Sequence, residues 1–207
     1  MRKLVERHKR TLSSFLEQRR DLLLVMLASD ADAVIVLQLT SELDEASDED
    51  LFVTFGGEFY DADGYALGAA EQFARQHASA DAAVRAAGKP PLLPLPERLL
   101  AAGHPGRERL RDILAFAHDL LPREARRLVV VVAPTLIADR TAFLALIAHL
   151  LPRPEREPWM ARLRLIIRDL ATDESVAERQ HPLAGVTPAG VCVTRADFSQ
   201  EAIRQSL

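Results

Sequence analysis

The stretch RRLVVVVAPTLIADR, Arg126–Arg140, decides the fold. Leu128 to Val132 form an unbroken apolar run, rich in β-branched valine, that ends at Ala133-Pro134. The run is too short for a buried helix, and its valines favour extended backbone. Both of its faces are apolar, so both must be covered. That is the mark of a central strand in a parallel sheet packed between helices. Pro134 stops the strand, and a helix over Arg140–Leu151 restarts beside Asp139, a residue suited to capping.

Working outward, four more stretches carry the same signature: Leu22–Ala28 (LLLVMLA), Leu51–Phe55 (LFVTF), Leu163–Asp169 (LRLIIRD) and Gly190–Thr194 (GVCVT). Helical periodicity fills the intervals. The spacing predicts a helix from the Ser29–Asp32 cap cluster to about Ala46, with Val34, Ile35, Leu37, Leu39 and Leu43 as its apolar positions. Further helices are predicted over Tyr65–His77 and Ala80–Ala87, the latter ended by Gly88, and over Arg107–Leu121. Residues 88–106 form a Pro/Gly-rich internal loop, with one helical turn near Glu97–Ala102. The tail from Asp197 reads as the start of a helix capped by Asp197 or Ser199.

Strands therefore alternate with helices. The chain is read as one α/β domain over residues 1–207, three layers deep, with a mainly parallel sheet of about five strands. An amphipathic helix precedes it as an appendage over residues 1–20. Leu4, His8, Leu12, Phe15 and Leu16 share one face of that helix, and its basic residues share the other.

The totals narrow the function. The 207 residues carry a net charge of −4, which excludes a general polyanion binder. The charge is uneven: residues 1–20 hold seven basic and two acidic side chains, while the rest hold 19 basic and 28 acidic. Cys192 is the sole cysteine, so there is no intrachain disulfide and no sign of an oxidising compartment. No apolar run approaches the roughly 18–20 residues that span a bilayer. These features predict a cytoplasmic protein with no membrane segment.

The catalytic vocabulary is thin. The chain has no G-x-x-x-x-G-K-[ST], no G-x-S-x-G and no C-x-x-C, and no two of its six histidines are spaced i, i+4. The first strand is followed by SDADAVIVL, without the glycines or lysine that would close on a phosphate. Cys192 lies between two valines and reads as a buried thiol. No metal and no cofactor are expected.

Between Leu22 and Arg195 the layout resembles P-loop NTPases of the AAA and STAND-type regulatory group. In that group a strand like LVVVV ends in a metal-binding acid, and a later strand like LRLIIRD ends in an arginine. This chain keeps Arg168 and has Ala133-Pro134 where the acid would stand. The resemblance implies a degenerate nucleotide-binding fold without NTP hydrolysis.

The expectation is thus a non-catalytic protein-interaction module: an adaptor, chaperone-like or regulatory protein whose partner is another protein or a second copy of the chain. Arg2, Lys3, Arg7 and Arg10 on the first helix, with the single tryptophan Trp159, are the candidate contacts. A second expectation is a ligand-binding or enzymatic edge at the carboxyl ends of the strands. Glu58, Asp61, Asp63, Arg168 and Asp169 are the convergent groups for it. Asp61 or Asp63 has an alternative role as a helix cap, and the spacing Asp61, Asp63, Gly64 does not match a calcium loop. Nucleic-acid binding through the basic helix is the third reading; Phe15 is its only aromatic residue and Glu6 and Glu17 interrupt its polar face, which argue against it.

Overall fold

A computed structural model describes residues 2–18, 21–47, 49–121, 127–151, 158–171, 181–186, 190–196 and 198. Five parallel strands form the central sheet: β1 (Asp21–Ala28), β2 (Asp50–Phe55), β4 (Arg127–Val132), β6 (Leu163–Leu170) and β7 (Gly190–Arg195). Their order across the sheet is β2-β4-β6-β1-β7. Two-residue strands β3 (Glu58–Phe59) and β5 (Leu136–Ile137) pair separately. The helices are α1 (Arg2–Glu17), α2 (Ala33–Glu45), α3 (Ala62–Ala86), α4 (Gly106–Asp119) and α5 (Arg140–Leu150).

The apolar run Leu128–Val132, in β4, sits second from one edge, and alternate residues serve opposite faces. Leu128, Val130 and Val132 join one core; Val129, Val131 and Ala133 join the other. All six are fully buried. At roughly 1.5–3 kcal/mol per buried apolar side chain, this strand is a major source of stability.

Topology explains the two cores. The chain leaves β1, crosses to the far edge at β2 through α2, and then returns through β4 and β6, passing β1 to reach β7. With right-handed crossovers, the outward connection must cover the face opposite the returning ones. Accordingly α2 supplies Val36 and Leu39 to one core, while α3, α4 and α5 supply Phe73, Leu110 and Phe143 to the other.

Helix α1 packs on the α2 side. Leu4, His8, Leu12, Phe15 and Leu16 are all buried, and four of them join Leu24, Met26 and Ile166 in the second core. Its sequence predicts an appendage, yet α1 forms one wall of the sheet's second face. Its apolar stripe finds there the surface that α2 alone leaves open.

One local expectation is overturned. Residues 65–87 form no pair of helices: α3 runs unbroken from Ala62 to Ala86, because Ala78-Ser79-Ala80 holds no residue that breaks a helix. Gly88, with φ +71°, ends it. The strand does stop before Pro134, as expected, and a short separate pairing follows it. Beyond the proline, Thr135 N donates to Gly57 O at 2.6 Å and Ala138 N to Phe59 O at 2.9 Å, flanking the separate β3–β5 pair. Pro134 removes one donor and leaves its carbonyl for another use. The helix expected after Asp197 or Ser199 lies outside the described residues, of which Phe198 alone remains, buried beside His8.

Candidate functional site at the carboxyl edge of the sheet

In an open parallel sheet, ligands settle where neighbouring strands send their following segments to opposite faces. Here that point lies between β1 and β6, which pair directly. The segment after β1 leads into α2 on one face; the turn at Pro182–Gly185, after β6, places Leu183 in the core of the other. The strand ends at this point are Ala28-Ser29-Asp30 and Arg168-Asp169.

Arg168 is fully buried. Its alternation along β6 points it to the α1/α2 face, where its Nη2 donates to the Ala28 carbonyl and to the carboxylate of Asp30. Its Nη1 donates to the Pro134 carbonyl. The Pro134 carbonyl, left free of the strand ladder, thus serves as an acceptor for the arginine. Arg168 Nε has no hydrogen-bond partner among the described residues. Asp30 is held in turn by its place in the short 3-10 turn Asp30–Asp32, which Ser29 caps through Asp32 N.

Asp169 points the other way and is also fully buried. Arg140, the first residue of α5, grips it in a two-pronged pair: Nε to Oδ1 at 3.0 Å and Nη2 to Oδ2 at 2.7 Å. His181 adds a third contact, Nε2 to Oδ2 at 3.0 Å. The Leu183 N–H donates to His181 Nδ1, which therefore holds a lone pair; the proton sits on Nε2 and is given to Asp169. Burial opposes charge on Asp169, but the hydrogen bonds from His181 and Arg140 and the nearby guanidinium outweigh it and hold the carboxyl below its usual range. Both ring nitrogens of His181 are engaged, so neither is placed to move a proton for a substrate.

The acidic trio lies elsewhere. It follows β2, and β4 separates β2 from β6, so the backbones stand about 9–10 Å apart at ~4.8 Å per strand. Glu58 is exposed and accepts the Tyr60 hydroxyl at 2.8 Å. Asp61 caps α3, accepting from Gly64 N at 2.7 Å. Asp63 accepts from Gly106 N at 2.6 Å and thereby caps α4 across the fold. The structure brings Arg168 together with Asp30, and Asp169 with Arg140 and His181; it does not bring either to the trio.

Asp30, Arg140 and His181 escaped selection from the sequence. Each sits within a few residues of a strand or helix end, but only the adjacency of β1, β6 and the α5 face reveals its partner. On α1, Lys3, Arg7 and Arg10 are exposed, and Lys9 pairs with Glu42 of α2 at 2.5 Å. The side chains of Arg2 and Trp159 lie outside the described residues; Trp159 falls in the 3-10 turn Pro158–Arg162. Among the described residues no cluster of three or more His, Cys, Asp or Glu is arranged to hold a metal ion, and no helix is long and apolar enough to cross a membrane. No protein-family model, curated protein or solved structure matches the chain.

Proposed function

We propose that the protein is a non-catalytic interaction module built on a nucleotide-binding type of sheet whose ligand position is filled by its own side chains. The observation that carries this reading is the Arg168–Asp30 pair. A buried arginine at the topological switch point is the natural partner of a ligand's anionic group. Here Asp30 supplies the anion, and the Ala28 and Pro134 carbonyls take further donors. Asp169 is equally committed, to Arg140 and His181. Two of the remaining acids cap helices, and none of these groups is free to polarise or deprotonate a substrate without breaking a bond that holds the fold.

The test is thermal denaturation with and without millimolar ATP or GTP and magnesium. A ligand at 100 times its Kd adds about 2.7 kcal/mol to stability. An unchanged melting temperature is the expected result. A rise that disappears in Arg168→Met would overturn the reading.

One observation favours a second reading. The Asp30 side chain is 39% exposed, so it is the one member of the pair that solvent reaches. A small anion that displaced Asp30 would meet the same guanidinium. Under that reading Asp30→Asn acquires a phosphate-dependent rise in melting temperature that the parent lacks; no rise in either protein rejects it.

A further inference from the structure

The segment Lys89–Pro96, KPPLLPLP, lies between α3 and the 3-10 turn Glu97–Leu100 and belongs to no helix or strand. Its conformation follows from its sequence. Pro90, Pro91, Pro94 and Pro96 have φ fixed near −65°. Lys89, Pro90, Leu93 and Leu95 each precede a proline, which drives them to extended ψ. Only Leu92 escapes both constraints. Pro96 itself has φ −64° and ψ 126°, in the polyproline II region.

A polyproline II helix has three residues per turn and so three edges. Between Pro90 and Leu95 exposure follows that period: Leu92 and Leu95 are half-buried, and Leu95 packs on the core; Pro90 and Leu93 are exposed on the second edge, Pro91 and Pro94 on the third. At the two ends the pattern gives way, with Lys89 exposed and Pro96 half-buried. Leu93 is 53% exposed and Leu100, just beyond, 44%, two of the most exposed large apolar side chains among the described residues.

The inner edge is fastened to α3. Leu92 N donates to Asp81 Oδ1 at 2.8 Å, and His77 Nε2 donates to the Leu93 carbonyl at 2.9 Å. Gly88 turns the chain back, with Lys89 N donating to Val84 O at 3.1 Å. The carbonyls of Pro91 and Pro94 accept no hydrogen bond among the described residues.

We propose that Lys89–Pro96 is a preformed polyproline II ligand, read by a partner protein through an aromatic-lined groove. Such grooves take two edges of the helix in slots between Tyr or Trp rings and donate hydrogen bonds to its carbonyls. Here the two outer edges and the Pro91 and Pro94 carbonyls are presented while the third edge is held. Fastening the segment to α3 removes much of the ordering cost of binding. Lys89 at its head calls for an acidic side chain at the corresponding end of the groove. The proposal rests on the interaction-module reading and names the surface it uses.

The test titrates the ¹⁵N-labelled full chain with a panel of purified SH3 and WW domains. The expected result is saturable perturbation of amide resonances within residues 89–98 by at least one domain, weakened at least tenfold in Pro91→Ala/Pro94→Ala. Leu93→Glu, which keeps the prolines and charges an outer edge, weakens it likewise, and the unchanged remainder of each spectrum shows that the fold is intact. No perturbation of these residues by any domain, or perturbation that survives both variants, overturns the proposal. So does self-association of the chain that the double proline variant abolishes. If a partner recovered with the full chain is retained equally by the double variant, the interaction reading stands and this segment is removed from it.

Discussion

Arg168 and Asp169 are neighbours on one strand and buried on opposite faces of the sheet, each with its own counter-charge. Breaking a buried pair by deleting one member costs more than the pair contributes, because the other charge is left stranded. Asp169→Asn therefore destabilises by about 3 kcal/mol at neutral pH, toward the low end for buried pairs since Arg140 keeps some access to water. The pH dependence has a definite sign. The folded carboxyl ionises below its usual range, so its stabilisation is complete above the unfolded value of about 3.9 and is lost as pH falls through the lower, folded value. Urea denaturation of wild type and Asp169→Asn should show a constant stability gap from pH 7 to about 5, narrowing below about pH 4. A gap that widens in acid contradicts the assignment. Asp30→Ala is milder, about 1–3 kcal/mol, because water can replace a half-exposed carboxylate on Arg168.

Among the elements, the contact that most constrains the edge is the meeting of the α3 and α4 N-termini. A Cβ on Gly106 would stand 2.2 Å from the Ala62 carbonyl oxygen and 2.8 Å from the Asp63 Cα, both backbone. Neither helix yields without moving the other. Gly106→Ala is expected to cost about 1–3 kcal/mol through this overlap. Asp63→Ala, which removes the acceptor on Gly106 N, costs about 1 kcal/mol as a lost cap. Thermal denaturation checks both, at about 2–4 °C per kcal/mol for a chain of this size. Because the two changes share one contact, the double variant should fall short of the sum. In the sequence Gly106 reads only as the last residue of a Pro/Gly-rich loop; its role depends on a backbone 44 positions away.

At the scale of the molecule, α1 decides whether the sheet is covered. Leu4, Leu12, Phe15 and Leu16 together contribute roughly 6–12 kcal/mol of burial at 1.5–3 kcal/mol each, comparable to the total stability of about 5–15 kcal/mol of an ordinary domain. Deleting residues 1–18 would uncover Leu24, Met26, Val129, Val131 and Ile166. The expected outcome is a chain that aggregates or binds the dye ANS, seen by size-exclusion chromatography and fluorescence. A truncated protein that stays monomeric with an unchanged melting temperature would show that α1 is dispensable to the fold.

Much of this architecture was legible in the sequence because it rests on local chemistry. Unbroken β-branched runs require burial on both faces, so five strands and a parallel α/β sheet follow from Leu22–Ala28, Leu51–Phe55, Leu128–Val132, Leu163–Asp169 and Gly190–Thr194 alone. Period-3.6 stripes placed α1, α2, α4 and α5 and wrongly split α3, Asp139 and the pair Asp61 or Asp63 announced caps, and the prolines of residues 90–96 dictated extended backbone. What the sequence could not determine was which strand ends meet. The order β2-β4-β6-β1-β7 is set by which apolar faces pack most completely, a property of the whole chain. That order alone joins Arg168 to Asp30, joins Asp169 to Arg140 and His181, and leaves Glu58, Asp61 and Asp63 two strands away. Charged residues carry no periodicity that names their partners, and a salt bridge across 138 positions forms only after hydrophobic packing has brought its strands side by side.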